Sequence, residues 1–290
     1  MIPAAFDYHA PGTLAEALAL LAQHGDGAKV LSGGQSLLPL LKLRLGSADH
    51  LIDIGRIPGL DYLVEEGGWL HIGGRTREVE LERSELVQKR YPLLADTAAV
   101  IADPIVRNLA TVGGNLAHGD PANDHPATML AYRAEVIATG SNGKRTIAID
   151  DFFTGIFSTA LEPGEILTQI RVPAPPPKSG GAYVKLERKV GDFATAATAV
   201  QLTLGAGGEV AAIGIGLTSA GPTALRATDA EAHLKGQQPT DERIEEAARR
   251  AAAATNPSAD RRGQVEYKRE MARVLTSRAI RKALARAKES

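Results

Sequence analysis

Leucine and alanine recur at helical spacing in "TLAEALALLAQHG" (13–25), which predicts a helix capped by Thr13, with Glu16 three residues on and Gly25 as its stop. "VLSGGQSLLPLLKLRLG" (30–46) reads differently. Two adjacent glycines do not suit a buried strand, and Pro39 suits a helix only in its first turn. The stretch therefore divides into a strand at Lys29–Leu31, a tight loop at Ser32–Ser36 and a helix with Ser36 near its cap. Further strands are predicted at "HLIDI" (50–54), "LDYLVEE" (60–66), "WLHIGG" (69–74) and "EILTQIRV" (165–172), with Gly67-Gly68 as a turn. "EVELERSELVQKR" (78–90) and "PLLADTAAVIA" (92–102) read as helical. "AEVIATGSNGKRTIAI" (134–149) reads as a hairpin joined across Asn142-Gly143.

"PAPPPKSGG" (173–181) is the clearest boundary, because its prolines and glycine pair do not continue a helix or a central strand. Beyond it "AYVKLERK", "ATAATAVQLTL" and "EVAAIGIGLTSA" predict strands, and the chain turns helical from about Thr240. The domains expected are 1–175 and 178–290, without internal repeats.

At 290 residues the chain exceeds one small core, and 44% hydrophobic and 23% charged residues are ordinary for a globular protein. A net charge of −1 gives no footprint for nucleic acid or a membrane surface. The absence of cysteine excludes disulfides, thiolate nucleophiles and any iron–sulfur cluster held by this chain alone. No secretory signal and no membrane-spanning apolar run is visible, so a cytoplasmic location is the expectation.

The Ser32–Ser36 loop has a counterpart in "ATVGGNLAHGDPANDHPA" (110–127), at Thr111-Val112-Gly113-Gly114-Asn115. Neither loop contains Lys or Arg, so a phosphate held there is held by backbone N–H groups, with hydroxyls and the Asn115 amide assisting. Two such loops suit the pyrophosphate of a dinucleotide. A single glycine pair is most often only a turn. The G-x-G-x-x-G fingerprint and the P-loop are both missing. His118 and His125 lack a third ligand at convincing spacing, so no metal site is expected. No residue set is assigned a catalytic role, since no nucleophile triad or carboxylate pair stands out.

"SGGQSLLPLLKLRL" with "TVGGNLAHGDPANDHPA" resembles the flavin-binding medium subunit of molybdenum hydroxylases, the xanthine dehydrogenase family, nearest to its carbon monoxide dehydrogenase-like members. "FDYHAP", "IADPIVRNLATVGGN", "TALEPGEIL", "KLERKVGDFATAA" and "SADRRGQVEYKREMA" extend the likeness over the whole length. The resemblance implies an α+β fold: a vanillyl-alcohol-oxidase-type FAD domain of two α+β subdomains (about 1–56 and 57–175), then a small antiparallel sheet with helices. It implies that Ser32, Gly33, Gly34, Gln35 and Ser36 embrace the FAD pyrophosphate together with Thr111, Val112, Gly113, Gly114 and Asn115. Asn123 and Asp124 would then lie near the ribityl or adenosine hydroxyls. Ile101, Ala102 and Ala110 would line the flavin pocket, Leu161 and Lys185 would approach the isoalloxazine, and Phe193 would lie beside it.

The family places His where Gln35 stands and Tyr where Phe193 stands; Gln35 still donates a hydrogen bond, whereas Phe193 loses a hydroxyl near the ring. Without the resemblance, Asp124 reads equally as a helix cap, Lys185 as a solvated strand charge and Phe193 as core. The function implied is electron transfer from two [2Fe–2S] clusters on a small partner, beside a large molybdenum-cofactor partner, to an external acceptor. The assembly implied is a dimer of heterotrimers, oxidising carbon monoxide, an aldehyde or an N-heterocycle. The alternatives are a stand-alone flavin oxidoreductase of the same fold and a flavin-free assembly protein.

Overall fold

The structure, a computed structural model, describes residues 2–290. Its first unit is built from β1 (Asp7–His9), α1 (Leu14–His24), β2 (Ala28–Leu31), α2 (Leu37–Leu43) and β3 (His50–Asp53). The three strands form a parallel sheet in the order β1-β3-β2. Side chains alternate along β3, so Ile52 packs with Ala17 and Leu21 of α1 while Leu51 packs with Leu41 of α2. Both faces are thus covered, as a parallel sheet requires. The capping box of α1 forms as expected, with Thr13 Oγ1 accepting from the Glu16 N–H and Glu16 Oε2 from the Thr13 N–H, each at 3.2 Å.

The second unit carries β4 (Leu63–Glu66), β5 (Trp69–Gly73), six helices, and then β6 (Glu135–Gly140), β7 (Gly143–Ala148), β8 (Phe153–Gly155), β9 (Ser158–Thr159) and β10 (Ile166–Pro173). The helices are α3 (Glu78–Arg83), α4 (Glu85–Arg90), α5 (Pro92–Val100), α6 (Pro104–Arg107), α7 (Val112–His118) and α8 (Asp124–Tyr132). The main sheet is antiparallel, ordered β4-β5-β10-β6-β7, with β8-β9 apart from it. Residues 78–90 form two helices, because Ser84 ends the first and its hydroxyl accepts the Val87 N–H of the second at 3.3 Å. In the hairpin Gly140 pairs with Gly143, so the linking residues are Ser141-Asn142, one position earlier than the sequence suggests.

The third unit contains β11 (Ser179–Leu186), β12 (Ala196–Leu204), β13 (Val210–Thr218), β14 (Leu225–Arg226), α9 (Thr228–Leu234), α10 (Asp241–Ala253) and α11 (Val265–Glu289). Its antiparallel sheet runs β11-β12-β13-β14. Gly180 and Gly181, placed in the linker by sequence, lie inside β11. The reason is close packing: a Cβ on Gly180 would strike the Ala283 carbonyl of α11, and one on Gly181 would strike Leu93 of α5. Gly214 and Gly216 of β13 likewise lie under the Ala131 and Ala127 carbonyls of α8. Helices of the second unit therefore sit on one face of this sheet and α11 on the other. Among the described residues no helix is long and apolar enough to cross a membrane.

Candidate functional site

The strand β2 ends at Leu31, and the loop after it turns back through Gly34, whose φ of 73° is one that glycine adopts without strain. The N–H groups of Gly33, Gly34, Gln35 and Ser36 find no backbone acceptor, and Gln35 Nε2 donates to the Gly33 carbonyl at 3.1 Å. The second loop opens α7. Thr111 Oγ1 accepts the Gly114 N–H at 3.2 Å and lies 3.0 Å from Ser32 Oγ, so one hydroxyl caps a helix and joins both loops.

Glycine is required where the loops are packed. A Cβ on Gly33 would fall on the Leu109 carbonyl, and one on Gly113 on the Gly74 carbonyl. A Cβ on Gly114 would meet only the Thr111 hydroxyl, at 2.7 Å. Ser32–Ser36, Ala110, Thr111, Gly113, Gly114, Asn115 and Leu161 line one cleft between the first and second units. Val112 is fully buried beneath it. Asn115 Oδ1 is buried without a partner, which leaves an amide in the wall of the cleft ready for a polar ligand.

A second group gathers where the second and third units meet. Asn123 joins it to the cleft: its Nδ2 donates to the Asn115 carbonyl at 3.0 Å, and its own carbonyl accepts from Thr218 Oγ1 at 3.1 Å. Asp124 is buried and accepts from the Tyr183 hydroxyl at 2.6 Å and from Lys185 Nζ at 2.9 Å. Burial pushes the Asp124 carboxyl upward, opposed by the Lys185 charge and the Tyr183 hydrogen bond. Burial and the Asp124 charge push the Tyr183 phenol well above its usual range. Lys185 Nζ also donates to the Val100 carbonyl at 3.1 Å, at the end of α5.

The next two residues, Ile101 and Ala102, are held through their carbonyls by Arg107 Nη1 at 2.9 and 3.1 Å. Ala102 has a φ of 47°, a conformation that costs a non-glycine residue about 1 kcal/mol, so the Arg107 contacts hold it against strain. Gly191 packs on the Ala102 carbonyl, which brings the loop carrying Phe193 to the same place.

The free N–H groups and the glycine-tight crossing fit an elongated anionic cofactor, and the orphaned Asn115 Oδ1 is an acceptor for one of its hydroxyl or N–H groups. Comparison with known families decides which. Residues 4–175 match the model described as FAD binding domain in molybdopterin dehydrogenase, and residues 181–283 match CO dehydrogenase flavoprotein C-terminal domain. The chain belongs to the FAD-binding medium subunits of the molybdenum hydroxylases. It is 48% identical to the carbon monoxide dehydrogenase medium chain of Hydrogenophaga pseudoflava over 286 residues, covering 99% of both chains. It is 44% identical to that of Afipia carboxidovorans, covering 99% of this chain and 100% of the relative. A solved Hydrogenophaga pseudoflava carbon monoxide dehydrogenase, lacking the Mo-pyranopterin moiety of its cofactor, superposes with a TM-score of 0.96 at 50% identity and 99% coverage of each chain.

The medium subunit thus gathers its predicted residues into two joined groups rather than one pocket. Asp124 does not cap α8; Asn123 holds the cap position and Asp124 opens the first turn. Lys185 is no solvated charge, since its side chain is only 3% exposed. Phe193 is no core residue: it is 48% exposed, with the Arg262 guanidinium 5.8 Å from its ring centroid. His118 lines the cleft beside Phe157, whereas His125 is buried against Glu78 at 2.7 Å, so the two histidines do not meet.

Sequence reasoning missed three participants. Lys29 lines the cleft from β2, three residues before the loop, and brings the cation that the loops lack. Gly74 supplies the backbone against which Gly113 packs, and the doublet in "HIGGRT" was its signal. Arg107, in "IADPIVRNLATVGGN", carried no signal beyond its place in the motif.

Proposed function

We propose that this medium subunit binds FAD along the two joined groups and carries electrons from [2Fe–2S] clusters of a small partner subunit to an external acceptor. The bond between Ser32 and Thr111 supports this most directly, because it sets the free N–H groups of Gly33–Ser36 and that of Gly113 around one cleft. In this reading the pyrophosphate lies against the backbone of Ser32–Ser36 and of Thr111–Asn115, with Lys29 balancing its charge. Asn123 and Asp124 take hydroxyls of the ribityl or adenosine part. Ile101, Ala102, Ala110, Leu161, Lys185 and Phe193 surround the rest and limit water at the ring. FAD, when bound, supplies the redox chemistry, and the protein supplies position and electrostatics.

The chain has no cysteine, so the clusters that deliver electrons must belong to another chain. A large molybdenum-cofactor subunit, a dimer of heterotrimers and a cytoplasmic location complete the proposal. Likeness to two carbon monoxide dehydrogenase medium chains favours carbon monoxide as the substrate of the assembly, ahead of aldehydes and N-heterocycles. The purified chain is expected to hold one FAD and to oxidise no small substrate with a dye acceptor until both partners are added. Turnover by the chain alone would assign it instead to stand-alone oxidoreductases, and a colourless folded chain that takes up no FAD would make it an assembly protein.

A further inference from the structure

Three histidines meet in the first unit, away from both groups. The register of the parallel sheet sets Asp7 beside His50 and His9 beside Ile52. Ile52 faces α1, so Asp7, His9 and His50 face α1 as well, by the two-residue alternation of a strand. The third histidine, His24, is the last residue of α1. Its chain re-enters the sheet through Gly25–Gly27 into β2 at Ala28, which lies level with His50. The cluster therefore occupies the edge at which β2 and β3 begin, whereas the Ser32–Ser36 loop leaves the edge at which β2 ends.

The geometry is that of ligands awaiting an ion. His9 Nε2 and His50 Nδ1 share a hydrogen bond at 3.2 Å, so an ion that replaces the shared proton finds both nitrogens in place. Two nitrogens bound to one tetrahedral zinc at its usual bond length are separated by about 3.3 Å. All three histidines offer a nitrogen within 4.8 Å of the others, and the His24 ring must turn out of its stack on His50 to aim its in-plane lone pair at a shared ion. His24 Nε2 is buried with no hydrogen-bond partner, although its ring stacks on His50 at a centroid distance of 3.7 Å. A buried imidazole nitrogen without a partner, beside two others at coordination distance, lacks a purpose in packing alone.

Charge agrees with a cation. The Asp7 carboxylate lies 3.7 Å from His50 Nδ1 and is exposed, free to turn in as a fourth ligand. The last carbonyls of α1, an eleven-residue helix, point toward the same end and favour positive charge. Imidazole donors with one carboxylate suit zinc better than magnesium or calcium, which prefer all-oxygen sites.

We propose that His9, His24 and His50 bind one zinc ion, with Asp7 completing the coordination, and that this ion fastens the end of α1 to β1 and β3. The site is independent of the flavin reading. The test uses the full chain as purified, stripped with a chelator and titrated with zinc chloride by calorimetry. One ion per chain is expected, and cobalt(II) chloride should give the visible absorption of a four-coordinate nitrogen–oxygen site. His24→Ala and His9→Ala should each weaken zinc binding at least about tenfold, while FAD content per chain stays unchanged. A chain that binds no zinc, or a His9→Ala/His24→Ala double variant that binds it as tightly as the parent, overturns the proposal. Histidine modification by diethyl pyrocarbonate, mapped by peptide, needs no variant. Zinc should protect His9, His24 and His50 but not His71, and equal labelling with and without zinc overturns the proposal.

Discussion

The hydroxyls of Ser32 and Thr111 lie 3.0 Å apart although 79 positions separate them in the chain. This bond is the only hydrogen bond between the two glycine loops among the described residues. Thr111→Val keeps the shape and removes both the bond and the cap on Gly114. It should lower stability by about 1 kcal/mol, read by urea denaturation, and reduce FAD retained through gel filtration. Ser32→Ala, which keeps the cap, should lose FAD without that loss of stability.

Gly33→Val drives a side chain into the Leu109 carbonyl and must part the loops. Gly114→Ala displaces only the Thr111 hydroxyl, which turns aside and gives up its bond to Ser32. The valine variant should therefore emerge folded but without FAD, and the alanine variant should lose FAD only in part, as Thr111→Val does. Equal FAD content in the two, measured from the flavin absorbance per chain, would show that the crossing of the loops does not shape the site.

Lys185→Met leaves the buried Asp124 carboxylate without its ion-pair partner. Breaking such a pair costs about 3–5 kcal/mol. Adding Asp124→Asn to Lys185→Met should recover part of that loss, because the orphaned charge is gone. Thermal melts of the two single variants and the double variant measure the coupling directly.

Asp96 supplies a pH dependence. Burial pushes its carboxyl upward, but hydrogen bonds from Arg286 and Lys282 outweigh burial and hold it below its ordinary value of 3.8. The folded protein thus favours the ionised form. The resulting stability is present above that ordinary value and is lost as pH falls through the lower folded one. Asp96→Asn should destabilise the protein at pH 7, and its deficit relative to the parent should shrink in acid. A deficit that stays constant down to about pH 2, below the unfolded value, would remove Asp96 from this role.

Phe193→Ala removes a half-exposed ring, so its effect on stability should stay within about 0.5 kcal/mol. If the ring covers one face of the flavin, the same variant should loosen FAD and alter its fluorescence. Phe193→Tyr should leave FAD content unchanged and shift the reduction potential or the rate with a given acceptor. Unchanged flavin spectra in both variants would place the ring outside the site.

Much of this was legible in the sequence because local rules govern it. The capping box of Thr13, the strand before Ser32 and the paired glycine loops all follow from neighbours within a few positions. What stayed hidden depends on contacts distant along the chain. Gly180 and Gly181 look like linker until α11 and α5 are laid across β11. Lys185 looks like a surface charge until α8 brings Asp124 to it. The histidines at 9, 24 and 50 carry no recognisable spacing, because strand register and a helix end bring them together. The doublets at Gly33 and Gly113 read as places for a ligand to approach, and they prove first to be places where backbone crosses backbone.

The grip of Lys282 and Arg286 on Asp96 bears on how the chain matures. Asp96 belongs to α5 of the flavin unit, and its partners stand 186 and 190 positions later. During synthesis the first two units leave the ribosome with that carboxylate unanswered and with the α5 surface that meets β11 uncovered. β11 then covers that surface and brings the Tyr183 N–H to Asp96, but both cations arrive only with the closing turns of α11. A nascent chain stalled before Lys282 would thus carry a flavin unit complete in sequence whose Asp96 carboxylate still lacks both of its cations.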